Sequence, residues 1–406
     1  MSKPRVVVSG AGIAGTMLAY WLGKHGFSVT IIERSAASSE QGQVIDVEGP
    51  SREIVRRMGL LDEIQEQSTH EAGIRIMNDE GEAIAKFAAG DTNISNEIEI
   101  MRPALAGVLL AAAEQFESVE FRYGCTIHGI QQTSSKVLVD IHSKTNNETS
   151  KEDFDILVSS DGLRSSTRDM ILPFPSRSNC LKSANVFVAF FTIPALPQDR
   201  PYANVYNIPG RRSAFLKPYT ATETSAYLSV GKANPRLHAA RESRDVGRQK
   251  EAIKEVFEGV RGWETERVVA GMMETRNFYF EEITQVMLDK WWHGRCVLLG
   301  DTAYCPSPLT GQGTNLAILG AYVLAAKIVG SAQDPERAFD EYDKDMRPYV
   351  NKVQPIPLGG YLPLLVNPDT AWGIWILRFL VRWISWLDIG RFLPGGKKTP
   401  FDLPEL

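Results

Sequence analysis

A β-branched run, Val6-Val7-Val8, enters a turn carrying glycine at Gly10, Gly12 and Gly15, and this stretch constrains the fold more than any other in the 406 residues. The first glycine lets the chain turn, the second admits a phosphate close to the backbone, and the third lets helix and strand pack closely. A helix is predicted from about Ala14, which sets phosphates on the unpaired N–H groups of its positive end, near Ile13 and Ala14. Gly26 stops that helix, and Val29-Thr30-Ile31-Ile32 reads as a second buried strand ending at Glu33. The Glu33 carboxylate stands 18 residues past Gly15, where an acidic group can accept hydrogen bonds from ribose hydroxyls. Arg34 beside it either meets a 2′-phosphate or is an exposed structural residue. Glycine spacing alone is weak evidence, but strand, helix, strand and terminal acid together predict a Rossmann-type dinucleotide-binding unit.

Two more segments share this texture. Asp155-Ile156-Leu157-Val158-Ser159-Ser160 leads into Asp161-Gly162, and Ser166 with Asp169 has the spacing of a capping box, so a helix is expected to start there. Cys296-Val297-Leu298-Leu299 leads into Gly300-Asp301 and then Pro306-Ser307-Pro308-Leu309-Thr310-Gly311-Gln312-Gly313-Thr314-Asn315. A helix is predicted from about Thr314 through Ala326, with Leu316, Leu319, Val323 and Leu324 spaced for one buried face.

In motif order and spacing the whole chain resembles the class A flavoprotein monooxygenases, the p-hydroxybenzoate hydroxylase family. Asp161-Gly162 is similar to that family's DG motif and Gly300-Asp301 to its GD motif. The runs Gly300 to Pro308, Gly311 to Thr314 and Gly42-Gln43-Val44-Ile45-Asp46 look most like the tetracycline-inactivating monooxygenases and their natural-product relatives. The resemblance implies FAD as cofactor and NADPH or NADH as co-substrate. On the same ground Asp301 is expected to hydrogen-bond the ribityl chain, and Asp161 with Arg164 to border the pyrophosphate and the pyridine nucleotide. Arg102, at a strand end before Pro103, is expected to reach the ribose or phosphate of the flavin. Pro308 stiffens the last loop, Gly311 and Gly313 admit a flat ring, and Gln312, Thr314 and Asn315 open a helix aimed at it. Gln43 and Asp46 either face the isoalloxazine or satisfy a loop.

The family chemistry implied is delivery of a hydride to the flavin, reaction with O₂ to a C4a-hydroperoxide, and transfer of one oxygen atom to an aromatic, phenolic or polyketide-type small molecule. A phenol substrate benefits from a group that helps remove its proton. Arg212, after a Pro-Gly turn, is the first candidate, with Tyr206 and Tyr219, and also Tyr279 and Tyr304. A flavoprotein reductase or oxidase without oxygen insertion, acting on a prenyl lipid or natural product, is the alternative, and a flavin-free binding protein a third.

The fold expected is α/β: a dinucleotide-binding FAD domain of residues 1–75, 100–182 and 285–355, interleaved with a mostly antiparallel β-sheet substrate domain of 76–99 and 183–284, plus a C-terminal helical segment, 356–406. A hydrophobic content of 43% can bury a core of that size, and a net charge of −5 gives no reason to invoke nucleic acid. The four cysteines and six histidines show no metal-ligand spacing, so no metal is expected. Strand texture within a few residues of Met1 leaves no room for a signal peptide, and a cytoplasmic protein is expected. Residues 372–394 carry Trp372, Trp375, Trp383 and Trp386, with Arg378, Arg382 and Ser385 as a narrow polar stripe. That helix either packs across both domains, burying its tryptophans, or contacts a membrane surface.

Overall fold

The computed structural model describes residues 3–37, 42–69, 71–88, 98–173, 179–387 and 399–406. Its first sheet has six strands in the order Trp292–His293, Cys296–Leu298, Ile156–Ser159, Arg5–Ser9, Ser28–Glu33, Val119–Tyr123. All neighbours run parallel except the short edge pair. Both faces are covered, so the central strands are apolar throughout: Val6, Val7, Val8, Ile156, Leu157 and Val158 are fully buried. Register decides what this sheet can hold. Ser9 pairs with Ser159, and Ser159 with Leu298, so the three central strands end level. The segments beginning at Gly10, Ser160 and Leu299 therefore leave the sheet side by side at its C-terminal edge, where open parallel sheets bind ligands.

Two long apolar helices pack against each other over this sheet, Ile13–Lys24 and Gly313–Gly330. Trp21 of the first meets Tyr322 of the second edge to face, ring centres 5.0 Å apart. Among the described residues, Gly313–Gly330 is the one helix long and apolar enough to cross a membrane, and it lies buried in the core.

The second large sheet has seven strands: Phe278–Val286, Leu181–Pro194, Glu223–Val230, Arg212–Pro218, Ala203–Ile208, Gly73–Met77, Ala83–Ala88. It is antiparallel except where Ala203–Ile208 runs parallel to Gly73–Met77. Strand alternation gives it two distinct faces. One carries Phe187, Ala189, Phe191, Tyr206, Ile208, Ala214, Leu216, Ala226, Leu228 and Phe280 into a core shared with residues of the helices Pro235–Ser243, Val246–Val256 and Thr265–Glu274. The first two of these helices are parted where Arg244 turns left-handed and Asp245 caps the next helix by accepting from the Arg248 N–H. The opposite face looks toward a small two-stranded sheet, Val44–Asp46 with Glu99–Met101, that stands between it and the glycine segments.

The C-terminal helix, Ala371–Trp386, lies on the Ala83–Ala88 strand. Two of its polar residues face inward, while Arg382 is exposed: Ser385 Oγ accepts from the Lys86 N–H and donates to the Lys86 carbonyl, and Arg378 donates to Asp79. Trp372 and Trp386 are 71% and 74% exposed, and Trp375, Phe379 and Trp383 share their side. Packing therefore uses Arg378, Ser385 and Ile374 and leaves the tryptophans outside, unlike the helix that would bury them across both domains. The last residues, 399–406, are not helical; Phe401, Leu403 and Leu406 pack on the first core, and the Pro404 carbonyl accepts from Tyr322.

Candidate active site

Backbone packing draws the three glycine segments into one cradle. Gly10 has φ +102°, and a Cβ there would lie 2.7 Å from the Ser160 carbonyl oxygen. Ser160 Oγ donates to the carbonyls of Ser9 and Gly10, at 2.9 and 3.0 Å. A Cβ on Gly15 would run into the Gly10 carbonyl, and one on Gly300 would come within 3.0 Å of the Ala14 Cβ. The DG and GD segments join directly, since the Gly162 N–H donates to Thr302 Oγ1 at 2.9 Å.

Gly12 differs from its neighbours. A Cβ there would meet no protein atom within 4 Å, and its φ of −76° suits any residue. The reason for glycine at this position therefore lies outside the chain. Gly12 also heads the Ile13–Lys24 helix, which has no side-chain cap and no acidic residue in its first turn. The same holds at Gly313, where a Cβ would touch nothing within 4 Å and the helix starts without side-chain cap or acid. Two positive helix ends thus open beside glycines with vacant flanks, a suitable setting for negative charge.

The predicted side chains fall around these ends. Glu33 accepts from the N–H groups of Ala11 and Ser35, both at 2.9 Å, so it braces the glycine loop, and each carboxylate oxygen retains acceptor capacity. Arg34 is exposed beside it. Asp161 points into its own loop, accepting from Ser159 Oγ at 2.7 Å, Ser165 Oγ at 2.5 Å and the Thr167 N–H at 3.3 Å. The helix after it is capped by Ser165, one residue earlier than capping-box spacing predicts, because Ser165 Oγ accepts from the Arg168 N–H. Arg164 forms an ion pair with Glu281 of the seven-stranded sheet at 2.9 Å.

Burial pushes the Asp301 carboxyl up from the ordinary aspartate range, while the Arg102 guanidinium and a hydrogen bond from Cys305 pull it back. Arg102 heads the helix Arg102–Glu114, and its backbone N–H donates to the Gln43 carbonyl at 3.0 Å. On the last loop Ser307 and Gly311 both have positive φ, and Pro308 is exposed. Gln312 donates to Glu48 at 2.8 Å, and Asn315 Oδ1 accepts from the Glu48 N–H at 3.1 Å. Asn315 Nδ2 and Ser307 Oγ are buried with no protein partner, polar groups that a bound molecule could satisfy. Thr314 is buried in the first turn of the helix. Asp46 borders this loop, its Oδ2 4.0 Å from where a Gly311 Cβ would stand.

Facing these elements, the seven-stranded sheet presents a row of rings. Register aligns Tyr279 with Phe190, Phe190 with Tyr227, and Tyr227 with Phe215 across four adjacent strands. Successive ring centres lie 6.0, 5.1 and 5.4 Å apart. A small groove beside this wall is lined by Gly42, Phe190, Phe191, Ser225, Tyr227, Asn277 and Tyr279. Burial pushes Tyr227 up to about 12, against the pull of Lys217 and the Val44 backbone, and burial with Glu281 likewise raises Tyr279. Both hydroxyls hold their protons at neutral pH.

Arg212 and Tyr206 lie elsewhere, and strand parity explains it. Arg212, Ala214 and Leu216 share one side of their strand, the helix-covered one. Arg212 there donates to the carbonyls of Pro209 and Val256, at 2.8 and 2.6 Å, and stacks over Phe257. Tyr206 is buried on the same side and donates to Asp79 at 3.0 Å. Tyr219 is half-buried just past the strand end, its hydroxyl raised by burial and Glu223. Tyr304 is a core residue whose hydroxyl meets that of Tyr342 at 2.8 Å. Of the five candidates only Tyr279 lines the groove. Sequence reasoning missed Phe190, Phe215, Lys217 and Tyr227; the alternation in Arg212–Pro218 puts Phe215 and Lys217 on one side, but not which side meets the flavin.

A family model described as an FAD binding domain matches residues 3–355. The chain belongs to that family. It is an FAD-dependent monooxygenase by kinship. It is 38% identical to the monooxygenase CTB7 of Cercospora beticola, covering 100% of this chain and 98% of that one. It is 29% identical to the FAD-dependent monooxygenase asL4 of Sarocladium schorii, over 96% and 94% of the two chains. Among solved structures, the tetracycline destructase Tet(55) superposes with a TM-score of 0.80 at 26% identity, covering 100% of this chain and 99% of the other. HpxO of Klebsiella pneumoniae, solved with FAD, shares the fold at 18% identity and a TM-score of 0.74, over 96% and 97%. The vacant flanks of Gly12 and Gly313, the two uncapped helix ends and the orphaned Asn315 amide fit FAD along its length.

Proposed function

We propose that this monooxygenase uses NAD(P)H and O₂ to insert one oxygen atom into a flat hydroxylated aromatic or polyketide-type molecule held in the groove between the ring row and the flavin. The observation that carries this reading is the row Tyr279–Phe190–Tyr227–Phe215, a continuous aromatic wall opposite the glycine loops. FAD, when bound, supplies hydride acceptance and O₂ activation, which side chains alone cannot. Residues of the glycine segments, with Glu33, Arg102 and Asp301, would hold it. The Gly313–Gly330 helix end would favour negative charge on the ring edge by about 0.3–2 kcal/mol. Tyr227, protonated at neutral pH, would donate a hydrogen bond to a substrate oxygen, while Tyr279, whose hydroxyl donates to Glu281 at 3.2 Å, and the other rings exclude water.

The test is a screen of polycyclic phenols, tetracyclines included, for stimulated NADPH or NADH oxidation with mass detection of product. Stimulation with a gain of one oxygen, labelled when ¹⁸O₂ is supplied, is expected. Stimulated oxidation that returns all O₂ as peroxide, across the panel, would instead favour an oxidase.

The outward tryptophans favour a second property, contact of the Ala371–Trp386 helix with a membrane surface. Sedimentation with anionic phosphatidylserine vesicles, abolished by Trp372→Ser with Trp386→Ser, is expected; recovery of all protein in the supernatant would count against it.

A further inference from the structure

Lys217 is buried on the flavin-facing side of the seven-stranded sheet, two residues from Phe215 of the ring row, with only 8% of its side chain exposed. Its ammonium lies 3.0 Å from Glu99 Oε2 and 3.3 Å from Glu71 Oε2, and both of those side chains are 2% exposed. Burial alone would pull the lysine down, but Glu99 and Glu71 overcome this and hold it above its ordinary range. A buried ion cluster of this kind is a poor source of stability, since apolar side chains of similar volume often serve packing equally well. Its placement suggests another role.

The groups around it come from the small sheet, from the chain leading into the Gly73–Met77 strand and from the neighbouring Glu223–Val230 strand. Glu99 belongs to the two-stranded sheet, where it pairs in register with Asp46, the residue bordering Gly311 of the flavin-side loop. Glu71 precedes the Gly73–Met77 strand of the larger sheet. Ser225, opposite Lys217 on the neighbouring strand, touches Met101 of the small sheet. Tyr227, two residues further, feels the Lys217 charge and hydrogen-bonds with the backbone at Val44, again in the small sheet. One ammonium thus ties the aromatic wall to the strands that border the flavin loop.

We propose that Lys217, clamped by Glu99 and Glu71, is a positioning residue that sets the gap between the aromatic wall and the flavin loop and keeps the Tyr227 hydroxyl directed at an oxygen substituent of a flat phenolic or quinonoid substrate. The proposal rests on the substrate reading above and adds the group that fixes the substrate's place. An ammonium with two carboxylates holds its partners by direction and charge, which a methionine of the same length does not.

The experiment compares the FAD-loaded wild-type enzyme with Lys217→Arg, Tyr227→Phe and the charge-free triple variant Lys217→Met, Glu99→Gln, Glu71→Gln. The triple change removes the ammonium together with the two carboxylates paired with it, so none of the three is left buried opposite a missing partner. The probe is 1,8-dihydroxyanthraquinone, its binding read from the flavin absorbance change and its coupling from peroxide released per NADPH consumed. In the triple variant FAD content and thermal midpoint stay near wild type, probe affinity falls about tenfold, and the peroxide fraction rises. Lys217→Arg recovers part of the loss. Tyr227→Phe reproduces the affinity loss and adds little in the triple background, as expected of groups that act together.

Unchanged probe affinity and coupling in a fully FAD-loaded triple variant would overturn the proposal, as would losses that merely track FAD content. A wild-type enzyme with no affinity for the probe would overturn it too. If the wild type binds the probe but adds no oxygen, the oxygen-insertion reading fails while the affinity comparison still decides the role of Lys217.

Discussion

At the C-terminal edge of the six-stranded sheet the functional groups are backbone: glycines packed against carbonyls, two uncapped helix ends, and side chains such as Asp161 and Ser160 that brace loops. Across from them, on the seven-stranded sheet, they are side chains: four rings brought into line by strand register and a buried lysine beside them on the same face. The first region tolerates almost no change in shape, because its elements touch through main chain. The second can change its rings without disturbing a single strand pairing. A cofactor common to a family and a substrate particular to one member would call for such a division.

The comparison breaks most visibly at Gly15. A Cβ there overlaps the Gly10 carbonyl, so Gly15→Ala should cost about 3 kcal/mol or more, read by chemical denaturation, with FAD lost alongside. A variant with wild-type stability would mean the glycine packing is not what joins the segments. The next largest effect separates the two faces of the seven-stranded sheet. Arg212→Ala removes two hydrogen bonds to carbonyls on the helix-covered face and should lower stability by about 2 kcal/mol, while FAD content and turnover stay within twofold. A large loss of turnover with stability intact would return Arg212 to the active site.

The smallest effect is a pH dependence. The folded-state value of Lys217 is raised above that of an unfolded lysine, about 10.4. Its contribution is therefore fully present below that pH and lost as pH rises through the higher folded value. The stability difference between wild type and the charge-free triple variant should be flat from about pH 7 to 10 and change only above about 10.4, by denaturation at each pH. A change centred near neutrality would show that another group controls the cluster.

Legibility in the sequence follows the same division. Gly10, Gly12, Gly15 and Gly300 could be read because each answers a local demand of backbone shape or close approach, and local demands leave fixed spacings. Ser9, Ser159 and Leu298 ending level is a matter of register between distant strands, yet the glycines that follow them carry the same information. Phe190, Tyr227 and Phe215 had no such marker. Alternation groups residues by side, but which side meets the flavin depends on the helices covering the other, and that choice put Arg212 and Tyr206 behind the sheet. The C-terminal helix shows the same limit. Its spacing separates Arg378 and Ser385 from the tryptophans, but only Asp79 and Lys86, about 300 residues away in sequence, turn those two residues inward.

Gly12→Val tests the central claim most directly, because Gly12 has a vacant flank and an ordinary φ while its neighbours do not. If the vacancy is where FAD lies, the purified variant should be colourless, with affinity for added FAD reduced at least about a hundredfold (~2.7 kcal/mol), and an apoprotein melting midpoint matching wild-type apoprotein. A yellow Gly12→Val protein, carrying one FAD per chain and turning over normally, would contradict the account.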